Sequence, residues 1–307
     1  MVAPCYNEER VLAMFHQRVT DTCEPLGAYE IILVDDGSSD RTWATICQLA
    51  EKDEHVVGLR LSRNHGHQLA LTAALAHASG DRILIIDADL QDPPELLPEM
   101  LALLDRGADV VYGQRRHRAG ESRFKLVSAH LFYRLLRLLT DAPIPEDTGD
   151  FRLIKRSVLD VFNRMPEQER FIRGMISWIG FNQQPLLYDR AARAAGESKY
   201  PMRKMLRFAA NAVTSFSTRP LRLASYLGVL IGCLCLLGII YLVFAHFSGQ
   251  TVAGWTSLII VVLFVGALQL LVLGIIGEYL GRLFLESKGR PLYIVSEKSV
   301  RATPSRE

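Results

Sequence analysis

The sequence predicts an α/β protein, a mostly parallel sheet with flanking helices, followed by two transmembrane helices. Three observations carry this. Short, wholly apolar runs recur and end in carboxylates and a turn, as in Glu30-Ile-Ile-Leu-Val-Asp35-Asp36-Gly37 and Ile83-Leu-Ile-Ile-Asp87. Stretches with helical character separate these runs, the alternation expected of strands buried under helices on both sheet faces. Towards the C-terminal end, residues 223–247 and 255–277 contain no Asp, Glu, Lys or Arg. Each uncharged run is long enough to cross the ~30 Å of hydrocarbon in a bilayer.

Taken in order, Pro4-Cys5-Tyr6-Asn7-Glu8-Glu9 has turn and helix-start chemistry. Only Met1–Ala3 are left for a first strand, so the natural start is expected a few residues upstream. The Glu30 run is a strand, and a helix follows from about Thr42, with Ser38 and Ser39 as its caps. Residues 55–61 form the next strand, ending in Ser62-Arg63-Asn64-His65-Gly66, and residues 68–78 the next helix. The Ile83 strand runs into Asp87, and Pro93 and Pro94 then open a helix at Glu95. Residues 109–112 add a strand ending at Gly113.

Residues 123–139 and 202–216 mix apolar residues with Arg and Lys, as helices at an anionic membrane surface do. The first fits a packed core face equally well. The second leads into a span and is placed at the interface. Arg219 and Arg222 before the first span, and Arg282, Lys288 and Arg290 after the second, put both outer ends in the cytoplasm. The expected organisation is a cytosolic domain (1–200), an interfacial helix (201–222), a transmembrane hairpin (223–280) and a cytosolic tail (281–307). The expected location is the bacterial inner membrane. A two-helix anchor offers little intramembrane packing, so the subunits are expected to associate through the spans.

A net charge of +2 is too small to suggest nucleic acid, and no nucleic-acid partner is expected. The five cysteines form no CxxC pair, consistent with free thiols in a reducing compartment.

In open α/β sheets ligands sit beyond the carboxyl ends of the strands. Asp35, Asp36, Asn64, Asp87 and Asp89 all fall there. Asp87 and Asp89 lie two apart, so an extended chain would aim both at one hard cation, Mg2+ or Mn2+, with Gln91 continuing the parity. His65 and His67 are too isolated for a metal pair and read as turn residues near the ligand.

Pro4-Cys-Tyr-Asn-Glu8, Asp35-Asp-Gly-Ser-Ser-Asp40 and Asp87-Ala-Asp-Leu-Gln-Asp-Pro-Pro94 resemble the signatures of family-2 glycosyltransferases of the GT-A fold, with its Rossmann-like sheet. Thr148-Gly-Asp-Phe-Arg-Leu153, Arg173-Gly174, Trp178-Ile-Gly-Phe181, Gly196-Glu-Ser-Lys-Tyr200 and the double span narrow the resemblance to polyprenyl-phosphate glycosyltransferases. These include bactoprenol glucosyltransferases and dolichol-phosphate mannose synthases. The resemblance implies that Asp35 and Asp36 meet the uracil and ribose of a nucleotide sugar, with Pro4, Tyr6 and Glu8 lining the base pocket and Asn64 nearby. It implies that Asp87, Asp89 and Gln91 hold the cation and diphosphate. Asp150 would lie at the reacting centre, with Arg115, Arg118, Arg173 and Lys199 on the phosphates of donor and acceptor.

The implied reaction moves a hexose, glucose from UDP-glucose, onto undecaprenyl phosphate, with inversion in a single displacement. The product is a lipid-linked sugar for surface polysaccharide. The same site would accept mannose, galactose, N-acetylglucosamine or modified arabinose donors. Two other readings are weaker. A processive synthase would carry Gln-x-x-Arg-Trp, which is absent. A non-catalytic scaffold would have lost its acidic residues, and all five aspartates are present.

Overall fold

The computed structural model describes residues 1–116, 148–189, 219–248 and 255–299. The amphipathic stretches at 123–139 and 202–216, together with Arg118 and Lys199, lie outside the described residues. Two compact units emerge: an α/β unit that includes residues 291–299, and a helical unit.

In the α/β unit the apolar runs become strands. The order is β1 (Val2–Cys5), α1 (Leu12–Cys23), β2 (Ile31–Asp35), α2 (Thr42–Lys52), β3 (Val56–Leu61), α3 (His67–His77), β4 (Arg82–Ile85) and α4 (Leu97–Asp105). Then come β5 (Val110–Arg115), β6 (Thr148–Lys155), α5 (Arg156–Arg164), α6 (Ile172–Ile179), β7 (Gln183–Tyr188) and, after the helical unit, β8 (Val295–Lys298). Ile31, Ile32, Leu33 and Val34 are all fully buried, which is why β2 shows no polar alternation. Pro93 starts no α-helix directly: a 3-10 turn over Pro94–Leu96 precedes α4.

Among the described residues the sheet has eight strands in the order β7-β5-β6-β4-β1-β2-β3-β8. It is mixed rather than mostly parallel. The pairs β1·β2, β1·β4, β2·β3 and β5·β7 are parallel. Strand β6 runs antiparallel between β4 and β5, and β8 runs antiparallel along β3. The sequence pattern missed β6 because Thr148-Gly-Asp-Phe-Arg lacks the continuous apolar run of its neighbours.

The first strand also differs from expectation: it runs through Pro4 to Cys5. Proline is tolerated in the middle of the sheet because β4 pairs with β1 only at Val2. The side of β1 to which Pro4 would donate has no partner strand there, so the missing N–H costs no ladder bond.

The helical unit holds α7 (Arg219–Phe247) and α8 (Trp255–Ser287), of 29 and 33 residues. Tyr226, Leu230, Leu237, Tyr241 and Phe244 of α7, and Phe264, Leu270, Leu273 and Phe284 of α8, stand exposed. Within the described residues one stretch, Phe264–Ser287, is long and apolar enough to cross a membrane, with a mean hydropathy of 1.7. The apolar stretch found in α7 is the shorter Gly228–Gly238.

Candidate active site

The register of the central strands assembles the acidic edge. In the antiparallel β4·β6 pair Ile85 faces Arg152. Asp87 lies two residues beyond Ile85 and Asp150 two residues before Arg152, so the antiparallel register leads both carboxyls to the same end of the pair, where His67 reaches each. The parallel strands β1 and β2 end at this edge too, with Cys5 opposite Asp35. Strand β5 brings Arg115 there, since Gln114 pairs with Thr148.

Asp150 is held more tightly than any other acid at this edge. Its side chain is 3 % exposed. Arg173 donates to it from Nε at 2.7 Å and Nη2 at 3.2 Å, and Arg173 Nη1 donates to the Thr148 carbonyl at 3.1 Å. His67 Nε2 lies 3.0 Å from Asp150 Oδ2 and 3.6 Å from Asp87 Oδ1. Gln68 Nε2 donates weakly to Asp150 at 3.4 Å, and Gln68 Oε1 accepts from the Ile172 amide at 2.9 Å, tying α3 to α6. Burial alone would raise the Asp150 pKa, but Arg173 and His67 outweigh it and hold the carboxyl well below its usual range. Burial likewise works against a charged His67, and the Asp150 bond and Asp87 charge more than restore it, so its pKa is raised.

Asp87 is in the opposite situation. Burial, with the charges of Asp150, Asp92 and Asp89 close by, pushes its carboxyl up to about 6 against the pull of His67. Asp87 and Asp89 are not on one face of a strand as expected. The strand ends at Ile85, and Asp87 to Leu90 form a turn closed by Leu90 at φ +61°. Asp89 Oδ1 accepts the Gln91 backbone amide at 3.1 Å, and Asp89 lies close enough for its charge to act on Asp87. Among the described residues no three His, Cys, Asp or Glu side chains converge to hold a metal by themselves. A set of two carboxylates and one amide oxygen does not need that. Carboxylates crowded until one resists ionising fit a hard divalent cation, which would relieve the crowding.

The residues expected to meet the nucleotide form two interlocked turns. Asp35 is fully buried and its Oδ1 accepts the Ser38 amide at 3.0 Å. Asp36 accepts the His65 and Gly66 amides at 2.7 and 2.9 Å, which works against the rise that burial imposes on its pKa. Asn64 is exposed on that same turn. Gly37 sits at φ +66°, and a Cβ there would come within 2.6 Å of the Asn64 nitrogen, so the two turns touch backbone to backbone. Pro4 is buried, Tyr6 is 48 % exposed, and the Glu8 amide donates to Thr42 Oγ1 at 2.9 Å. Ser38 and Ser39 do not cap α2: Ser38 Oγ accepts from the Asn7 amide, and the Thr42 amide is taken by Asp40. Asp40 wins because its carboxylate also accepts the Thr42 hydroxyl at 2.6 Å.

Arg115 is partly buried, beside Tyr188, whose hydroxyl donates to the buried Asp92. Four participants went unread in the sequence: His67 as an Asp150 partner, Gln68, Asp92 and Arg152. Arg152 is 3 % exposed and donates to the Gly149 carbonyl at 3.0 Å, and burial lowers its pKa to about 10. Its position two residues from Asp150 on one strand face was the available signal.

Residues 1–162 match the family model Glycosyl transferase family 2, and residues 219–283 match the GtrB C-terminal hairpin. The uncharacterized glycosyltransferase YkcC of Bacillus subtilis is 46 % identical over 97 % of this chain and 93 % of its own length. The SfII prophage-derived bactoprenol glucosyl transferase of Shigella flexneri is 39 % identical over 99 % of both chains. Among solved structures, S. aureus TarS 1–349 in complex with UDP-GlcNAc is 18 % identical with a TM-score of 0.49, over 70 % of this chain and 64 % of that one. The acidic strand-end edge and the near full-length relatives agree, and the chain is a glycosyltransferase that belongs to glycosyl transferase family 2.

Proposed function

We propose that this glycosyltransferase moves a hexose, glucose from UDP-glucose, onto undecaprenyl phosphate at the cytoplasmic face of a membrane that α7 and α8 both cross. The observation that carries the reading is the pairing of opposites at one sheet edge. The crowded Asp87–Asp89–Gln91 turn suits a cation and diphosphate. Across the register lies Asp150, fixed and ionised by Arg173 and His67. The lipid acceptor is supported by relatives named bactoprenol glucosyl transferase that match 97–99 % of the chain, and the membrane by the hairpin match and the exposed apolar residues of both helices.

Asp87, Asp89 and Gln91 would hold Mg2+ or Mn2+, which supplies positive charge against the departing nucleoside diphosphate. Asp35 and Asp36 would take the base and ribose, with Pro4, Tyr6, Glu8 and Asn64 about them. A phosphate monoester has a second pKa of about 6, so the acceptor is already an anionic nucleophile at neutral pH. A strong base is therefore unnecessary. Asp150, its proton long lost and its oxygens held by Arg173, His67 and Gln68, suits orienting groups and stabilising positive charge at the anomeric carbon rather than accepting a proton. Direct attack opposite the diphosphate inverts that carbon. Arg115, Arg118, Arg173 and Lys199 balance the phosphates.

The test is to incubate the detergent-purified chain with undecaprenyl phosphate, Mn2+ and a panel of UDP- and GDP-sugars, and to follow lipid-linked sugar by mass spectrometry. One glucolipid from UDP-glucose, lost in Asp89→Ala, is the expected result. A different single donor would correct the sugar. No product from any donor, with the protein folded, would overturn the assignment.

A further inference from the structure

Three charged side chains stand abreast on adjacent strands. Asp35 of β2 is the register partner of Arg60 of β3, and Arg60 is the register partner of Glu297 of β8. Direct partners in a ladder project from the same face, so the charges run minus, plus, minus across it. The contacts follow: Arg60 Nη1 donates to Glu297 Oε1 at 2.7 Å, and Arg60 Nε lies 3.5 Å from Asp35 Oδ2. The other Glu297 oxygen accepts from Trp43 Nε1 at 3.0 Å, so Glu297 is itself fixed. Asp35 Oδ2 is enclosed and accepts no hydrogen bond, and the Arg60 guanidinium is the cation paired with it.

Strand β8 is secured along its length. The Ser62 amide donates to the Ile294 carbonyl at 2.9 Å, and Ser296 Oγ donates to the Arg60 carbonyl at 3.1 Å. At the far end Ser299 Oγ accepts from the Gly58 amide at 2.7 Å, and the Ser299 amide donates to the Gly58 carbonyl. A separation of 3.5 Å is too long to fix a flexible arginine against Asp35 unaided. The short bond to Glu297 does that, because it takes one end of the guanidinium and leaves Nε facing Asp35.

We propose that Glu297 is a positioning residue of the donor site: through Arg60 it orients the Asp35 carboxylate, which makes the strand after the helical hairpin part of the nucleotide pocket. This rests on the reading of Asp35 as a nucleotide-base ligand. Arg60 touches no substrate in this scheme, and Glu297 acts through Arg60.

The experiment measures UDP affinity by calorimetry, with Mn2+, on the full chain in detergent, beside thermal stability and donor KM and kcat. Glu297→Gln keeps the size and the acceptor for Trp43 but removes the charge. It should weaken UDP about fivefold, and Arg60→Met about tenfold. The double variant should bind no worse than Arg60→Met, because both act on one carboxylate. Donor KM should rise in step while kcat stays within about twofold. Unchanged affinity in a Glu297→Gln protein of normal thermal stability overturns the proposal, as does a double variant weakened by the product of the single effects. Asp35→Asn separates the two readings: if it leaves UDP affinity unchanged, the base-pocket assignment is what fails.

Discussion

Buried Asp150 and half-buried Asp87, both within reach of His67 Nε2, have opposite protonation behaviour, and each yields a prediction. Asp150 is held below its usual range, so its ion pair stabilises the fold above about pH 4 and is lost as pH falls through the depressed value. Arg173→Met would strand that carboxylate and cost about 3–5 kcal/mol, read as a loss of denaturant midpoint. It should also flatten the pH dependence: with His67 and Gln68 the partners left against burial, Asp150 moves back up, and less stability is lost on acidification than in the parent protein. Asp87, pushed up to about 6, costs stability as pH climbs from its unfolded value through that point. Mn2+ should therefore raise Tm more at about pH 7.5 than at about pH 5. Asp87→Asn should remove most of the cation's effect while leaving the metal-free protein at least as stable at the higher pH. Asp87 was legible in the sequence because an apolar run drives straight into it. The His67–Asp150 contact was not, since nothing local to His67 announces a partner 83 positions away.

At the scale of elements, two of the glycines sit where an added Cβ would come within 3 Å of a neighbour, one against backbone and one against side chains. At Gly37 a Cβ would sit 2.5 Å from the Arg63 carbonyl carbon, in a backbone region that L-residues avoid. Gly37→Ala should cost about 2–3 kcal/mol and abolish UDP binding, measured by thermal shift and calorimetry. At Gly113 the clash is with Phe151 and Tyr188 at 2.7 and 2.8 Å. Because these are side chains that can tilt, Gly113→Ala should cost less, about 1–2 kcal/mol. Strands β2, β3 and β4 were legible because burial on both faces leaves unbroken apolar runs. Strand β8, Val-Ser-Glu-Lys, was not: an edge strand needs one row of backbone partners and carries polar residues on its open sides. Its role is fixed by Glu297 meeting Arg60 and Ser299 meeting Gly58, more than two hundred residues away in sequence. The Asp87 turn misled the parity argument for a related reason. The rule holds only while the chain stays extended, and Leu90 at φ +61° ends that.

For the whole molecule, the two uncharged runs that predicted a hairpin became α7 and α8, and the described residues of α8 alone meet the length and hydropathy expected of a span. The two-span topology predicts how single cysteines, placed in a background without the native ones, will label in intact cells. Thr251→Cys should react with an impermeant maleimide, and Ser296→Cys only after permeabilisation. Labelling of both or neither in intact cells would overturn the hairpin topology. The return of the chain to β3 after α8 has a consequence in time. A ribosome must complete both long helices before it reaches Val295, so the edge of β3 stays open while they are made. A chain halted within α8 would expose an unpaired strand edge, the kind of surface that invites aggregation and capture by quality control. Order of synthesis thus makes the covering of the β3 edge a late event, after the chain has committed its apolar helices.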